Sequence, residues 1–227
     1  MPETFEPKIE ILPAAQQELW PSLAPAPRLS YVLYGGTAVA LHLGHRTSVD
    51  FDFFRSGPLD KPELLAAFSF LKEAETIQED PNTLVVRIAM PSGSVKVLFF
   101  GGIAIGRIND PLLTADGTLL VASRDDLMGT KLKAILDRAE AKDYRDISAL
   151  LASGASLEKG LAAFAALFKQ DPALPLKAIG FFKDGDLPTL PKEDQDRLRQ
   201  ARDRIVEVPK IQILDASLAT AIPARTP

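Results

Sequence analysis

The chain has 227 residues, 46% of them apolar and 25% charged, the composition of a globular protein long enough to bury a sizeable core. Its 26 basic and 30 acidic residues give a net charge of −4, which excludes a global positive field for nucleic acid or anionic lipid but leaves room for a local basic groove. No cysteine and two histidines exclude thiol mechanisms and most zinc sites, so any chemistry must rest on carboxylates, lysines and hydroxyls.

No uninterrupted apolar run approaches the ~18 residues a membrane helix needs; the eight residues Leu161 to Phe168 are the longest obvious one. The start, Met1-Pro2-Glu3-Thr4-Phe5-Glu6, has neither the positive nor the apolar region of a secretory signal, and the expectation is a cytoplasmic protein with no membrane span. Pro21, Pro25 and Pro27 separate a leader containing Trp20 from Tyr31-Val32-Leu33-Tyr34, which reads as a strand. Gly35-Gly36 follows, and then Thr37 to Leu43 reads as a short helix with Thr37 as its N-cap and Gly44 as its stop. Val49 to Phe53 alternates with period two, which predicts a strand with Val49, Phe51 and Phe53 on one face and Asp50 and Asp52 on the other.

Further along, Lys61 to Ala74 has helical spacing, and Thr83 to Ala89 and Ser94 to Phe100 read as strands of a hairpin joined by Pro91-Ser92-Gly93. Ser123 to Ala139 opens with the capping pattern Ser123-x-x-Asp126, and Asp143 to Ala152, Leu157 to Lys169 and the charged Lys192 to Val206 complete a helical second half. Strands early and helices late predict an α+β protein: a small mixed-sheet domain over residues 1–122, a mostly helical domain over 123–207, and a loosely held C-terminal tail over 208–227.

The informative constellation is Gly35-Gly36, then Asp50-x-Asp52. Two residues along a strand rise about 6.6 Å and return to one face, so both carboxylates aim at one volume and repel unless a cation stands between them. Mg²⁺ is such an ion, since it takes carboxylates, keeps its waters and finds further ligands among substrate phosphates. A turn without side chains lets phosphate approach the backbone at a helix start, where free N–H groups and the positive dipole end favour an anion. Each feature alone is commonly a tight turn or a solvated strand face; side by side they suggest a nucleoside triphosphate site.

The stretch Val32-Leu33-Tyr34-Gly35-Gly36-Thr37-Ala38, continued by Leu43-Gly44-His45-Arg46-Thr47-Ser48-Val49-Asp50-Phe51-Asp52-Phe53-Phe54, resembles the signature of AbiEii/AbiGii-type nucleotidyltransferases, in the DNA polymerase β-like superfamily. The resemblance implies a metal-dependent enzyme in which Gly35, Gly36 and Thr37 bind the triphosphate and Asp50 and Asp52 hold the catalytic Mg²⁺ (or Mn²⁺). It implies transfer of a nucleotide to an RNA (tRNA) or protein acceptor, in the toxin half of a toxin–antitoxin or phage-defence pair, with an antitoxin as partner. Many members of the superfamily carry a third carboxylate on a neighbouring strand. Its counterpart here, Val95-Lys96-Val97-Leu98-Phe99, puts Lys96 and Leu98 where that acid would stand. Lys96 could instead neutralise Asp50 and Asp52 without metal, and a catalytically inactive binding protein of the same fold is the alternative reading.

At about 100° per residue, Lys131 falls on the apolar arc of its helix with Leu127, Met128, Leu132 and Ile135, and Asp143 falls among Tyr144, Ile147, Leu150 and Leu151, with Asp146 at the edge. Each buried charge needs an opposite one. Lys131 and Asp143 either pair with each other or act on nucleotide, Lys131 as a catalytic charge that neutralises the triphosphate and Asp143 as the group that orients it. Lys131-x-x-Ala134 with Arg138 and Lys142-Asp143-Tyr144-Arg145-Asp146 resembles a helical motif of the same family, which favours the second role.

Overall fold

The computed structural model describes residues 2–221 and divides into two compact units. The first comprises residues up to 106, 110–122 and the chain from 215; the second comprises 107–109 and 123–214. In the first unit, strands β1 (Thr4–Phe5), β2 (Val32–Tyr34), β3 (Asp50–Phe54), β4 (Glu75–Asp80), β5 (Thr83–Met90), β6 (Gly93–Phe100), β7 (Leu112–Thr114) and β8 (Leu120–Val121) form one sheet in the order β1-β7-β8-β2-β3-β6-β5-β4. The sheet is mixed: β3 runs parallel to β6 and antiparallel to β2, and β4, β5 and β6 are consecutive antiparallel neighbours.

Helices α1 (Ala14–Leu19), α2 (Gly35–Leu43) and α3 (Lys61–Ala67) belong to the same unit. In α2, Ala38, Val39, Ala40 and Leu41 are fully buried, so this helix between β2 and β3 is embedded in the core rather than laid on it. The core is aromatic: Phe53 stacks on Phe99 at 5.4 Å, and Tyr31 and Phe68 meet the same ring edge-on or tilted at 5.3 Å. Alternation in β3 turns Phe51 and Phe53 inward and leaves Asp50, Asp52 and Phe54 half-exposed, as the period-two pattern predicts.

Two local expectations differ, and one strand was not anticipated. Val49 lies outside β3 and is 60% exposed, so it does not share the buried face of Phe51 and Phe53. The helix expected over 61–74 ends at Ala67, because Phe68 takes an extended backbone that drives its ring into the core, and a 3-10 turn over Ser69–Lys72 follows. β4 carries no apolar alternation and is exposed along its whole length, so only its pairing with β5 makes it a strand.

The second unit contains α4 (Arg124–Asp137), α5 (Ala141–Ala152), α6 (Leu157–Phe168), α7 (Ala173–Ala178) and α8 (Lys192–Asp203). Ser123 caps α4 as the capping pattern predicts, its Oγ accepting from the Asp126 N–H at 3.1 Å. The buried Asp126 carboxylate then accepts from the backbone N–H groups of Ile108 and Asn109 at 2.8 and 3.1 Å, which ties residues 107–109 to this unit. α4 and α6 approach closely at Gly129 and Gly160: a Cβ on Gly129 would lie 3.1 Å from Ala163 Cβ, and one on Gly160 would collide with Met128. Among the described residues no helix is long and apolar enough to cross a membrane.

Of the tail expected to be loose from 208, residues 208–214 belong to the second unit, where the Leu214 N–H donates to the Arg107 carbonyl at 2.8 Å, and the described stretch from 215 is pinned to the first. Ser56 Oγ donates to the Ala216 carbonyl at 3.3 Å and accepts from the Leu218 N–H at 3.0 Å, and Leu218 is fully buried, a hydrophobic anchor that sequence patterning around one isolated leucine does not reveal. The last part of that tail, 222–227, lies outside the described residues. Leu218→Ala should therefore cost about 2–4 kcal/mol in a urea titration, as for other buried leucines. Val206→Ala, at a side chain 97% exposed, should stay within ~0.5 kcal/mol of the parent.

Candidate nucleotide site

Tyr34 at the end of β2 pairs with Asp52 on β3, and the chain turns into α2 at the next residue. Gly35 makes that turn at φ +74°, and a Cβ there would collide with Asp52 Oδ2, so the carboxylate lies over the glycine where no other residue leaves room. Gly36 has no such strain. A Cβ on it would meet Arg46 Nη2 at 2.5 Å and Ser48 Oγ at 3.0 Å, which places the Arg46 guanidinium beside the same helix start. The fold thus brings Gly35, Gly36, Asp52 and Arg46 to one place.

Thr37 is not the N-cap. The helix starts at Gly35 with Tyr34 in the capping position, because glycine reaches the left-handed turn that Thr37 was expected to provide a cap for. The fully buried Thr37 hydroxyl instead donates to the Asp50 carbonyl, a clip between the first turn of α2 and the start of β3. The first N–H groups of the helix, from Gly35 to Ala38, have no partner within it and present the positive end of its dipole beside Asp52.

Asp50 and Asp52 share the half-exposed face of β3, and the register sets Lys96 opposite Asp50 and Leu98 opposite Asp52. Lys96 Nζ lies 3.3 Å from Asp50 Oδ1, with the two side chains 40% and 34% exposed. Among the described residues no cluster of three or more acids and histidines stands ready to enclose a metal. The donor set fits a hard oxygen-seeking ion that takes two carboxylates and completes its sphere with water and phosphate oxygens, and it does not fit a preformed all-protein cage.

Lys131 and Asp143 come together within the second unit. Lys131, 4% exposed, sits with Nζ 2.8 Å from Asp143 Oδ1 and 2.7 Å from Asp146 Oδ2, and both acids are fully buried. Arg138 closes the cluster, its Nε 2.8 Å from Asp143 Oδ2. Burial pushes the Asp143 carboxyl up, but the Arg138 hydrogen bond and the Lys131 charge outweigh it and hold it below the ordinary carboxylate value. Burial together with the carboxylates of Asp184 and Asp143 pushes the Tyr144 phenol up to about 12, so it stays neutral beside them. Asp146 is the member that sequence reasoning placed at the edge of the apolar arc without giving it a role; its spacing of three from Asp143 on α5, one helical turn, was the available signal.

Residues 23–219 match the family described as nucleotidyl transferase AbiEii toxin, type IV toxin–antitoxin system. The chain is 28% identical over 119 residues to an uncharacterized protein of Aquifex aeolicus (strain VF5), 52% of this chain and 55% of the other, so it spans about half the length of that curated relative. In three dimensions 81% of the chain matches 81% of MenT4, a nucleotidyltransferase toxin of Mycobacterium tuberculosis H37Rv, with a TM-score of 0.52 at 13% identity, which is a likeness of fold.

Three outcomes follow from the geometry. Gly35→Ala should lose about 1–2 kcal/mol of stability for its left-handed backbone, more once Asp52 is displaced, whereas Gly36→Ala meets the end of a flexible arginine and the Ser48 hydroxyl without backbone strain and should cost less in the same denaturation assay. Lys131→Met leaves buried acids without their cation and should cost about 3–5 kcal/mol, while Arg138→Ala, at a side chain 47% exposed, should cost ~1 kcal/mol. Because the folded Asp143 carboxyl titrates below its unfolded value, its stabilisation is present above that value, near 3.8, and is lost as the pH falls through the depressed one. Urea midpoints between pH 6 and 3 should show this acid limb in the parent and a shallower one in Lys131→Met.

Proposed function

The chain belongs to the AbiEii family of nucleotidyltransferase toxins, and on that premise we propose that its first unit binds a nucleoside triphosphate and Mg²⁺ (or Mn²⁺) and transfers the nucleotide to an acceptor hydroxyl. The observation that carries the reading is the Asp52 carboxylate lying over Gly35 at the start of α2, with Asp50 on the same strand face. The N–H groups of Gly35, Gly36 and Thr37 receive the polyphosphate, and Arg46 stands beside Gly36 to take part of its charge. Asp50 and Asp52 would hold the divalent ion. When bound, that ion neutralises phosphate charge and steadies the oxygens of an in-line displacement at the α-phosphorus.

Atoms balance simply: the acceptor oxygen bonds to the α-phosphorus, the bond to the bridging oxygen of pyrophosphate breaks, and the acceptor proton leaves to solvent or a nearby base. No acid occupies the positions opposite Asp50 and Asp52, which are Lys96 and Leu98, so a base built into that strand is not part of the proposal. We keep Lys131, with Asp143, as a support for the second unit's helices rather than a charge on the triphosphate. To reach an anion, its ammonium would have to leave two buried carboxylates, at a cost of about 3–5 kcal/mol.

The Lys96–Asp50 contact favours a second reading, an inactive protein whose acids are closed by a lysine. The pair does not preclude metal: an ion pair this exposed is worth ~1 kcal/mol or less, which lowers affinity for a divalent ion by about fivefold at most. The acceptor would be an RNA (tRNA) or a protein, the setting cytoplasmic, and the partner an antitoxin, as the toxin–antitoxin family suggests.

Calorimetry with a non-hydrolysable triphosphate and Mg²⁺ tests the site. Asp50→Asn and Asp52→Asn should each weaken binding at least about tenfold while melting with the parent, since a neutral amide is a poor ligand for a hard ion. Unchanged affinity in both variants would refute the proposal.

A further inference from the structure

The half-exposed face that bears the two carboxylates continues across the sheet, and the triphosphate site leaves its charges unused. Register sets Asp50, Lys96, Arg87 and Glu75 in one row across β3, β6, β5 and β4. Lys96 leans on Asp50 at 3.3 Å, and Arg87 Nη1 leans the other way, on Glu75 Oε2 at 2.7 Å. The row therefore reads acid, cation, cation, acid, with every member at least one-third exposed.

Lys96 and Arg87 stand directly opposite each other on antiparallel strands, where Cβ atoms lie about 4.5–5.5 Å apart and like charges are unfavourable. Each cation instead contacts the acid at its own end of the row. In the flanking row on the same face, Asp52, Leu98, Val85 and Gln78, the residues beside the two cations along their own strands are Leu98 and Val85, and the one carboxylate, Asp52, lies on β3 with Asp50.

Asp50 is shared. It is the counter-ion of Lys96 and, in the function proposed above, a metal ligand. A carboxylate engaged by a divalent ion is a poor partner for an ammonium, so metal binding releases Lys96 toward Arg87. Two cations then face solvent one to two strand spacings, about 5–10 Å, from the metal acids. A phosphate oxyanion fits that pair, taking a point charge from lysine and a forked donor set from arginine. We infer that Lys96 and Arg87 form a phosphate subsite that opens when a divalent ion engages Asp50. The phosphate would come either from the donor's polyphosphate or from a phosphodiester of an acceptor strand. The inference rests on the metal reading of Asp50 and Asp52.

The test uses the full chain and its Lys96→Met and Arg87→Gln variants, both at exposed positions where the fold is expected to persist and a melting curve checks it. Titrated with Mn²⁺ alone, Lys96→Met should bind the ion more tightly than the parent, because the competing ammonium is gone, and Arg87→Gln should match the parent. With Mn²⁺ saturating, both variants should bind inorganic tripolyphosphate or a single-stranded oligoribonucleotide about fivefold more weakly, and without Mn²⁺ they should not differ from the parent. Weakening confined to tripolyphosphate assigns the subsite to the donor, and weakening confined to the oligoribonucleotide assigns it to the acceptor; either supports the inference. Mn²⁺ binding with both phosphate affinities unchanged overturns it and spares the metal reading. A parent chain that binds no Mn²⁺ removes both.

Discussion

One close approach organises the first unit: a carboxylate packed against a residue that has no side chain. Because Tyr34 pairs with Asp52, the residue after Tyr34 must leave the sheet beneath that carboxylate, and only glycine does so at φ +74° without a clash. The Thr37 hydroxyl then ties the first turn of α2 to the Asp50 carbonyl. Strand pairing, a left-handed turn and a buried hydroxyl together hold the Asp52 carboxylate against the helix start, with Asp50 on the same strand face. The carboxylate gains from the positive end of the helix dipole, and a phosphate arriving there would gain in the same way.

The molecule uses lysine–carboxylate contacts in two physically different ways. Lys131 is enclosed with Asp143 and Asp146 at 2.7–2.8 Å, out of water, so removing one partner strands a charge. Lys96 touches Asp50 at 3.3 Å in partial contact with water, where the same chemistry is nearly neutral in free energy. The first contact is a strut for the second unit, and the second is the one that a metal ion would exchange in the function proposed above. Solvent exposure, rather than residue type, separates a structural ion pair from a displaceable one.

How much of this was legible beforehand follows from which signals are local. β3, its inward phenylalanines, the β5–β6 hairpin and the Ser123 cap each depend on a few neighbouring residues, and each stands where the pattern predicts. Lys131 and Asp143 could be flagged as charges on apolar arcs, but not matched to Asp146 and Arg138, since the partners come from a second helix and its preceding loop. β4 was invisible because an exposed edge strand needs no apolar alternation, only a neighbour to pair with. The break at Phe68 and the burial of Leu218 were hidden for a related reason: in both places a long-range cavity for one side chain overrides what the local spacing favours.

By itself the amino-acid order determined the family signature and the α+β class, because those rest on short-range periodicity and on residue types at fixed spacing, and it named the candidate site residues. Tertiary structure alone decided that the Asp52 oxygen sits over Gly35, that Thr37 serves as a clip rather than a cap, and that Lys96 joins Arg87 in a row across four strands. These are relations between residues on different elements of the fold. Strand register and backbone turn set them, and neither leaves a local trace in the sequence.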